Sequence, residues 1–500
     1  MAATAPAAAL MTEPQRKLGM LLCLITIILA VLDMNIVSAA TVPIVRDLDP
    51  VHGVDRLPWL VSAFALAATA LLPLYGKLCD LHGAKRVLLA AVGTFLFGSA
   101  LCGAAQSMEQ LIAFRAVQGI GGGGLMSVTM VVMAQLKDPE EGAKGGGGMG
   151  GIVGGAGMAL GPLIGALLAD HLDWRWIFYV NLPLGLLVLV GAAVLLKLPQ
   201  GAGSRGLDFL GATLAAAFAT SLLLLTEWGG KDYAWTSPQI LALAAAALAA
   251  LLLFVWRQAT AAEPVLPLSL FRVPEIRIGF AVQGLVGMGL MGAIMYVMLY
   301  LQVARGVAAT SASLYLIPMA IGMTVIGMVV NRLTAQGVQT RTLLAAGGAC
   351  ATVALLLLGL SGPATSLWLV RAELVLLGVG LGQLIGQLIS VVQDAAPAHQ
   401  LGVATTGIRF FQTLGSALGA ALFGTVLARA FEADEPGTPL GAVGRMTGAA
   451  REHAVQSFVG AVDVVFLSAA GVMALVLLLA LRLPRRPVEE PVAEQRVLAA

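Results

Sequence analysis

The chain has 500 residues, of which 59% are hydrophobic and 11% are charged, and its mean hydropathy is +0.91. A soluble protein of this length needs far more charge to cover its surface, so the composition excludes a soluble globular protein and predicts a membrane protein. The net charge of +2 argues against a nucleic-acid partner. The four cysteines have no paired spacing, which argues against disulfides and a metal site, and we expect neither a cofactor nor an enzymatic activity.

Apolar runs long enough to cross a bilayer as helices recur about fourteen times along the chain. The first run is too long for a cleaved signal peptide and is interpreted as a permanent helix. An even number of spans places both termini on one side, where loops and tails hold more than twice as many Lys and Arg residues as the opposite loops. The positive-inside rule therefore predicts a protein of the cell inner (cytoplasmic) membrane with both termini in the cytoplasm. The predicted spans are 18–43, 58–78, 87–106, 109–134, 147–168, 176–196, 208–228, 238–256, 278–301, 312–333, 342–361, 366–391, 403–429 and 460–481.

An internal repeat relates the two halves of the chain. A single match at a fixed offset means little in a chain with 60 glycines. Several matches in the same order and at nearly the same offset, 254 to 256 residues, indicate a duplicated bundle. The matching positions are Leu111, Arg115, Ala116, Gly122 and Gly124 with Leu367, Arg371, Ala372, Gly378 and Gly380, and Gly83 with Gly337.

The repeat predicts an all-α integral membrane fold of two pseudo-symmetric six-helix bundles with two further helices inserted between them. We expect an N-terminal bundle at 1–200, the inserted helices at 201–260, a C-terminal bundle at 261–482 and a cytoplasmic tail at 483–500. The inserted helices match neither half and contain no central charge. We therefore expect them at the periphery, with one side facing lipid; the competing interpretation is that they line the cavity.

Two charged residues lie deep inside predicted spans, Asp33 in the first and Arg115 in the fourth. A charge near the bilayer centre costs roughly 2.5–3.5 kcal/mol on insertion scales, so both residues require an explanation. At ~1.5 Å per residue their depths differ by only a few ångström, which a flexible arginine can bridge. An ionised Asp33 would hold the guanidinium and a protonated one would release it, so one proton would control a two-state element. The competing interpretation is a static ion pair.

A short polar loop follows the second span and contains Gly76, Asp80, Gly83 and Arg86. We expect Gly83 to form the turn and Asp80 to cap the positive end of a helix in the other half, near Gly402. This loop would then act as an inner gate. The competing interpretation is a topology signal, which accounts for the basic residues but not for Asp80.

Six sequence motifs resemble those of the major facilitator superfamily, in particular its fourteen-helix drug:proton antiporters of the multidrug efflux type. The resemblance covers nearly the whole chain. Two departures are Ala166, where a second glycine usually follows Gly165, and Gln412, where many relatives have an arginine beside Phe411; Arg409 lies three residues earlier. The motifs are Leu32-Asp33-Met34-Asn35-Ile36-Val37 with Ala40 and Pro43, Gly76 to Arg86, Arg115-Ala116-Val117-Gln118-Gly119-Ile120-Gly121, Gly157 to Gly165, Trp174-Arg175-Trp176-Ile177-Phe178 with Asn181 and Pro183, and Pro264-Val265-Leu266-Pro267-Leu268 with Phe271-Arg272.

The resemblance implies the major facilitator fold, with Asp33 and Arg115 in proton coupling and the loop after the second span as the inner gate. It also implies that the fifth span is the antiporter-motif helix. The glycines of that span allow close helix packing, and its proline bends the helix. They are not a phosphate-binding loop, because the Lys-Ser/Thr ending is missing. The motif residues are Gly157, Gly161, Pro162 and Gly165.

Four residues are candidates for the substrate cavity: Met34, Gln118, Met291 and Met295. Methionine side chains adapt to varied ligands, as a promiscuous pocket requires. For the methionines of the ninth span, the competing interpretation is a stripe that faces lipid or the core.

Glu373 is a possible second proton site, because it is an acid inside the twelfth span. It is close to the outer end of that span, so the competing interpretation is a solvated group at the membrane rim. Arg371 corresponds to Arg115 in the repeat, but it points about 200° away from Glu373 on a helix of 3.6 residues per turn.

We therefore expect a proton-coupled antiporter that exports lipophilic small molecules or drugs by alternating access. Its partners would be the lipid bilayer, a small lipophilic substrate and protons, and we expect a monomer. Two alternatives are a dedicated exporter of one natural product or lipid, and a membrane sensor that transports nothing. The sensor would leave the cost of burying Asp33 unexplained.

Overall fold

The computed structural model describes residues 11–49, 53–136, 172–199, 206–230, 233–307, 314–362, 365–437, 446 and 448–484. Nearly all of these residues are helical, and the described part contains one isolated β-bridge, between Gly229 and Tyr233. The α-helices are α1 (Glu13–Ala39), α2 (Thr41–Leu48), α3 (Gly53–His82), α4 (Ala84–Gly103), α5 (Met108–Leu136), α6 (Trp176–Tyr179), α7 (Asn181–Leu195), α8 (Phe209–Trp228), α9 (Pro238–Thr260), α10 (Pro274–Val303), α11 (Ile317–Ala335), α12 (Thr340–Leu358), α13 (Leu367–Ala395), α14 (Leu401–Asp434) and α15 (Gly448–Ala480).

Thirteen helical segments in the described residues are long and apolar enough to cross a membrane. Each coincides with a predicted span, and the remaining predicted span, 147–168, lies outside the described residues. The first span differs from the prediction, because the helix does not continue to residue 43 but ends at Ala39. A separate helix then begins at Thr41, with Pro43 in its first turn, where proline is tolerated because no backbone donor is needed there.

The last two predicted spans, 403–429 and 460–481, are longer in the structure, because their helices extend into the segment between them. Helix α14 continues to Asp434, and α15 already begins at Gly448. The first turns of α15 carry an apolar face, with Ala454 and Phe458 fully buried. The start of α15 therefore packs against the rest of the protein.

The internal repeat reappears as equivalent packing in the two halves. A Cβ on Gly124 would meet Ala91 of α4, and a Cβ on Gly380 would meet the backbone of Ala351 in α12, the corresponding helix. Such contacts require glycine, because the helix backbones approach too closely for a side chain. The turns before α4 and α12 also match, since Gly83 and Gly337 have φ angles of 86° and 84°.

The inserted helices α8 and α9 pack against each other at the edge of the molecule. Helix α8 also packs on α3 and on α14, so it crosses the boundary between the two bundles. Its contact surface is apolar, with Ala219 in one cluster with Leu72 of α3 and Phe410 of α14. Helix α9 lies outside α8 and exposes Leu248 and Leu252. The predicted peripheral position is confirmed.

Candidate functional site

Asp33 and Arg115 form a buried ion pair in the N-terminal bundle. Arg115 Nη1 donates to Asp33 Oδ2 at 2.9 Å, and the two residues are 0% and 1% exposed. Arg115 Nε donates to the carbonyl of Leu60 in α3, and its guanidinium lies 4.3 Å from the centroid of the Phe64 ring. The structure thus joins α1, α3 and α5 through the two charges that the sequence places deep in the membrane.

Three neutral polar residues complete the hydrogen-bond network around Asp33. Gln118 Nε2 and Asn181 Nδ2 each donate to Asp33 Oδ1 at 2.8 Å, and both also donate to Ser99 Oγ. Gln118 Oε1 accepts from Arg115 Nη1 at 2.7 Å. With Ser99 in α4 and Asn181 in α7, five helices contribute to one hydrogen-bond network around Asp33.

The network shows what a proton on Asp33 would change. The carboxylate accepts three hydrogen bonds from side-chain donors. A proton on Asp33 would remove the negative charge that attracts Arg115 and would add an O–H donor to a carboxyl surrounded by donors. All five polar residues are buried, so proton exchange requires the helices to move. Gln118 was predicted to line the substrate cavity. In this conformation it is fully buried, because its amide forms hydrogen bonds with both Asp33 and Arg115.

The Asp80 carboxylate contacts the beginning of α14 in the opposite bundle. Asp80 Oδ1 accepts from the backbone N–H of Gly402 at 2.7 Å, and Oδ2 accepts from that of Val403 at 3.0 Å. The first N–H groups of a helix have no partner within the helix and carry partial positive charge. An ionised Asp80 therefore stabilises the contact through both hydrogen bonds and charge.

Gly76 allows the two helices of this contact to approach each other closely. A Cβ at Gly76 would lie 2.8 Å from Val403 Cα and 2.9 Å from the Gly402 carbonyl oxygen. Gly83 forms the turn between α3 and α4 with a positive φ of 86°, a conformation that favours glycine. Arg86, the fourth predicted gate residue, is exposed on α4.

Two further contacts lie on the same side of the molecule. Lys77 Nζ forms an ion pair with Glu263 Oε2 at 2.9 Å, which links α3 to the segment before α10. Gln393 Nε2 of α13 donates to the Met130 carbonyl of α5 at 3.2 Å. In the described residues, the two bundles are thus joined at the side that the charge distribution predicts to be cytoplasmic.

The structure brings only some of the other candidates near these sites. Met34 lies in α1, but its side chain lies outside the described part, as do Gly157, Gly161, Pro162 and Gly165. The side chains of Met291 and Met295 in α10 are 37% and 40% exposed. This exposure fits both the substrate-cavity and the lipid-facing interpretation.

Glu373 is only 3% exposed, so the interpretation as a solvated rim group is wrong. The hydroxyl of Ser361, just after α12, donates to its carboxylate at 3.1 Å. Burial results from the neighbouring elements, which position along a single helix does not reveal. Arg115 pairs with Asp33, but among the described residues no acid forms an ion pair with its equivalent Arg371. The Arg371 guanidinium stacks on the rings of Tyr315 and Trp368 at 4.8 and 4.4 Å.

A contact on the side opposite the predicted cytoplasmic side explains the motif around Trp174 and Arg175. Arg175 Nη1 and Trp174 Nε1 donate to Asp47 Oδ2 at 2.7 and 3.1 Å. Together these hydrogen bonds hold the pKa of Asp47 below its usual range, and the bond from Arg175 has the larger effect. The contact fixes α2 against the segment before α6, within the N-terminal bundle.

Two related helical bundles that meet at an interface within the membrane define a two-bundle membrane transporter. The sequence profile of the Major Facilitator Superfamily matches residues 22–209 and 205–420. The chain belongs to the major facilitator superfamily and is a multi-pass membrane transporter, not an enzyme.

Characterised and uncharacterised transporters are similar to this chain over most of its length. The multidrug transporter protein MdtP of Bacillus subtilis (strain 168) is 34% identical over 409 residues, 81% of this chain and 74% of MdtP. Multidrug resistance protein 3 of the same strain is 32% identical over 419 residues, 84% and 81% of the two chains. The uncharacterized MFS-type transporter Rv1877 of Mycobacterium tuberculosis (strain ATCC 25618 / H37Rv) is 34% identical, and the match covers 58% of that longer protein.

Among solved structures, the human organic anion transporter MFSD10 (TETRAN) has a similar fold. The TM-score is 0.65, and the match covers 93% of this chain and 99% of that one. The sequence identity is 17%, so the similarity concerns the fold alone.

Proposed function

We propose that this transporter is a proton-coupled antiporter that exports lipophilic small molecules or drugs across the cytoplasmic membrane. The observation that carries the proposal is the buried Asp33–Arg115 pair. An ionisable residue inside a membrane helix is costly, and the structure gives it a partner whose attraction depends on one proton. The names of two relatives, a multidrug transporter protein and a multidrug resistance protein, support the substrate class.

In the proposed cycle, protonation of Asp33 weakens its bond to Arg115 and allows the N-terminal bundle to rearrange. One proton moving inward down ~100 mV provides about 2.3 kcal/mol, before any pH gradient is added. The inner gate of Gly76, Asp80, Gly83 and Arg86 would hold the cytoplasmic side closed while substrate leaves on the other side. Both termini would lie in the cytoplasm, and the protein would act as a monomer. Glu373, buried and bonded to Ser361, is a candidate for a second exchanged proton.

A dedicated exporter of one natural product or lipid would use the same coupling but accept a single substrate. A panel of unrelated dyes separates the two possibilities, because a dedicated exporter would move one dye at most. A membrane sensor would move none of them.

The test is dye export by the purified protein in proteoliposomes with an imposed pH gradient. Asp33→Asn keeps the size of the side chain but cannot exchange a proton, so it should abolish gradient-driven export. Its neutral amide also removes the ion pair while Gln118 and Asn181 keep a side-chain partner. Reconstitution yield and thermal stability of the variant should be measured beside export.

The matched control is Asp434→Asn, the same exchange at an exposed position at the end of α14. This control should export at the rate of the unmodified protein. Full gradient-driven export by Asp33→Asn would rule out the proposed coupling role.

A further inference from the structure

Arg409 is a charged residue of α14 that neither the ion pair nor the inner gate involves. It lies eight residues after Leu401, the first residue of the helix, and therefore about 12 Å along the helix axis. The hydrocarbon core of a bilayer is about 30 Å thick, so this position is well inside the membrane. A guanidinium at that depth is costly and requires a partner.

The partners of Arg409 in the structure carry no charge. Its Nη1 donates to Gln412 Oε1 at 2.7 Å, and its Nη2 contacts the Met126 sulfur at 3.0 Å. A thioether is only a weak acceptor. Arg115 differs, since it pairs with Asp33. Among the described residues, none forms an ion pair with Arg409, so its positive charge is uncompensated there.

Arg409 also lies at the boundary between the bundles. Met126 belongs to α5 of the N-terminal bundle, so the Arg409 side chain reaches across from the C-terminal bundle. One turn further towards the cytoplasmic side, the carbonyl of Met130 accepts from Gln393 and joins the bundles there. Part of the Arg409 side chain remains exposed. Transporters with two related bundles bind their substrates at this boundary, near the middle of the membrane.

We propose that Arg409 binds the anionic group, a carboxylate or sulfonate, of an amphipathic substrate. The inference rests on the proposed function, because it names the substrate class of the exporter. A guanidinium presents a planar set of donors that matches a carboxylate, and such charge-assisted bonds are stronger than bonds to an amide or a sulfur. The substrate anion would therefore replace the contacts to Met126 and Gln412. The Asp33–Arg115 pair has no net charge, so it does not offset the positive charge of Arg409.

The test is equilibrium binding of two fluorescent dyes of similar size to the purified full-length protein in detergent. Fluorescein is an anion and rhodamine 123 is a cation, and fluorescence anisotropy measures the binding of each. The unmodified protein should bind fluorescein, and Arg409→Gln should weaken that binding about tenfold or more, equal to ~1.4 kcal/mol, while rhodamine 123 binds at least as well. Arg409→Lys should give an intermediate affinity for fluorescein, since it keeps the charge but loses the planar donor set.

A second variant keeps the test decisive if Arg409→Gln does not fold. Gln412→Glu places a carboxylate beside Arg409, so an internal ion pair should compete with fluorescein and weaken its binding. The matched control is Arg429→Gln, an exposed position further along the same helix, which should bind both dyes as the unmodified protein does. Fluorescein binding that is absent from the unmodified protein, unchanged by Arg409→Gln, or lost together with rhodamine binding would each overturn the inference.

The binding measurement does not depend on proton coupling. Charge-selective binding without gradient-driven export would refute the proposed function and leave the role of Arg409 intact. Gradient-driven export with no effect of Arg409 on fluorescein binding would refute the role of Arg409 and leave the proposed function intact.

Discussion

Asp80 and Gly402 are 322 residues apart in the sequence, and the carboxylate of the first accepts the backbone N–H of the second at 2.7 Å. The bond joins the end of α3 in one bundle to the first turn of α14 in the other. Because the neighbouring N–H of Val403 donates to the same carboxylate, both oxygens of Asp80 are used. The contact therefore requires a carboxylate, and another polar side chain at this position would not replace it.

Replacement of Asp80 by asparagine should open the side of the molecule that is predicted to be cytoplasmic. Asp80→Asn has one acceptor oxygen in place of the two that accept the N–H groups of Gly402 and Val403. The favourable negative charge at the start of α14 is also lost. The change should shift the equilibrium towards the inward-open state by about 1–3 kcal/mol. Cys79 is a native reporter, because it is 3% exposed and lies beside Gly402. In a protein whose only cysteine is Cys79, maleimide labelling should become faster in the variant.

The control for this experiment is a protein whose only cysteine is Cys102, which is buried inside the N-terminal bundle. Its labelling should stay slow with and without Asp80→Asn, since opening of the gate does not expose it. Unchanged labelling of Cys79 would mean that the loop is only a topology signal.

Gly76→Ala should open the same side for a steric reason. The added methyl group would meet Thr406, Val403 and the Gly402 carbonyl, so α3 and α14 could not approach as they do now. The matched control is Gly93→Ala in α4, where nothing lies within 4 Å of the added Cβ. We expect faster Cys79 labelling and slower export for Gly76→Ala, and neither change for Gly93→Ala. Equal behaviour of the two variants would contradict the close contact.

Glu373→Gln tests whether a second proton is exchanged. The amide oxygen can still accept the bond from Ser361, so thermal stability should stay close to that of the unmodified protein. If Glu373 carries a proton during transport, the variant should exchange fewer protons for each dye molecule exported, as measured with a pH-sensitive dye inside the vesicles. Glu452→Gln, at an exposed position of α15, is the control. An unchanged ratio would assign Glu373 a structural role.

Ala219→Leu tests the contact of the inserted helices with both bundles. Ala219 is fully buried in the apolar cluster with Leu72 and Phe410, and additional methylene groups in a well-packed site cost typically ~1–3 kcal/mol. The variant should therefore unfold at a lower temperature in detergent. Ala217→Leu, an exposed position on the same helix, should not. Equal melting temperatures of the two variants would mean that α8 does not pack tightly on the bundles.

The charged part of the site could be predicted from the sequence, because each buried charge is conspicuous in an apolar run. Asp33 and Arg115 are such charges, and their similar depths along two antiparallel helices made a contact between them possible. Ser99 and Asn181 could not be identified in the same way. Neutral hydroxyl and amide groups cost much less to bury than charges, so they occur in membrane helices without marking a site.

The burial of Glu373 could not be predicted either, since the distance to the end of one helix says nothing about neighbouring helices. The repeat correctly related Arg371 to Arg115, but the position equivalent to Asp33 lies near Gly287 and Gly289, where no acid is available. Arg371 packs on Tyr315 and Trp368 instead. A duplicated sequence thus preserves the backbone arrangement of a bundle more faithfully than its charge pairs.

The position of α8 has a consequence for how the two bundles can move. Leu72, Ala219 and Phe410 form an apolar contact, and dispersion between such side chains has no preferred direction. A contact of this kind tolerates sliding of packed helices by an ångström or two, the shear motion known from other proteins. The inserted helices can therefore slide against both bundles without losing contact during a rocking motion. They also cover the seam between the bundles and exclude lipid from it.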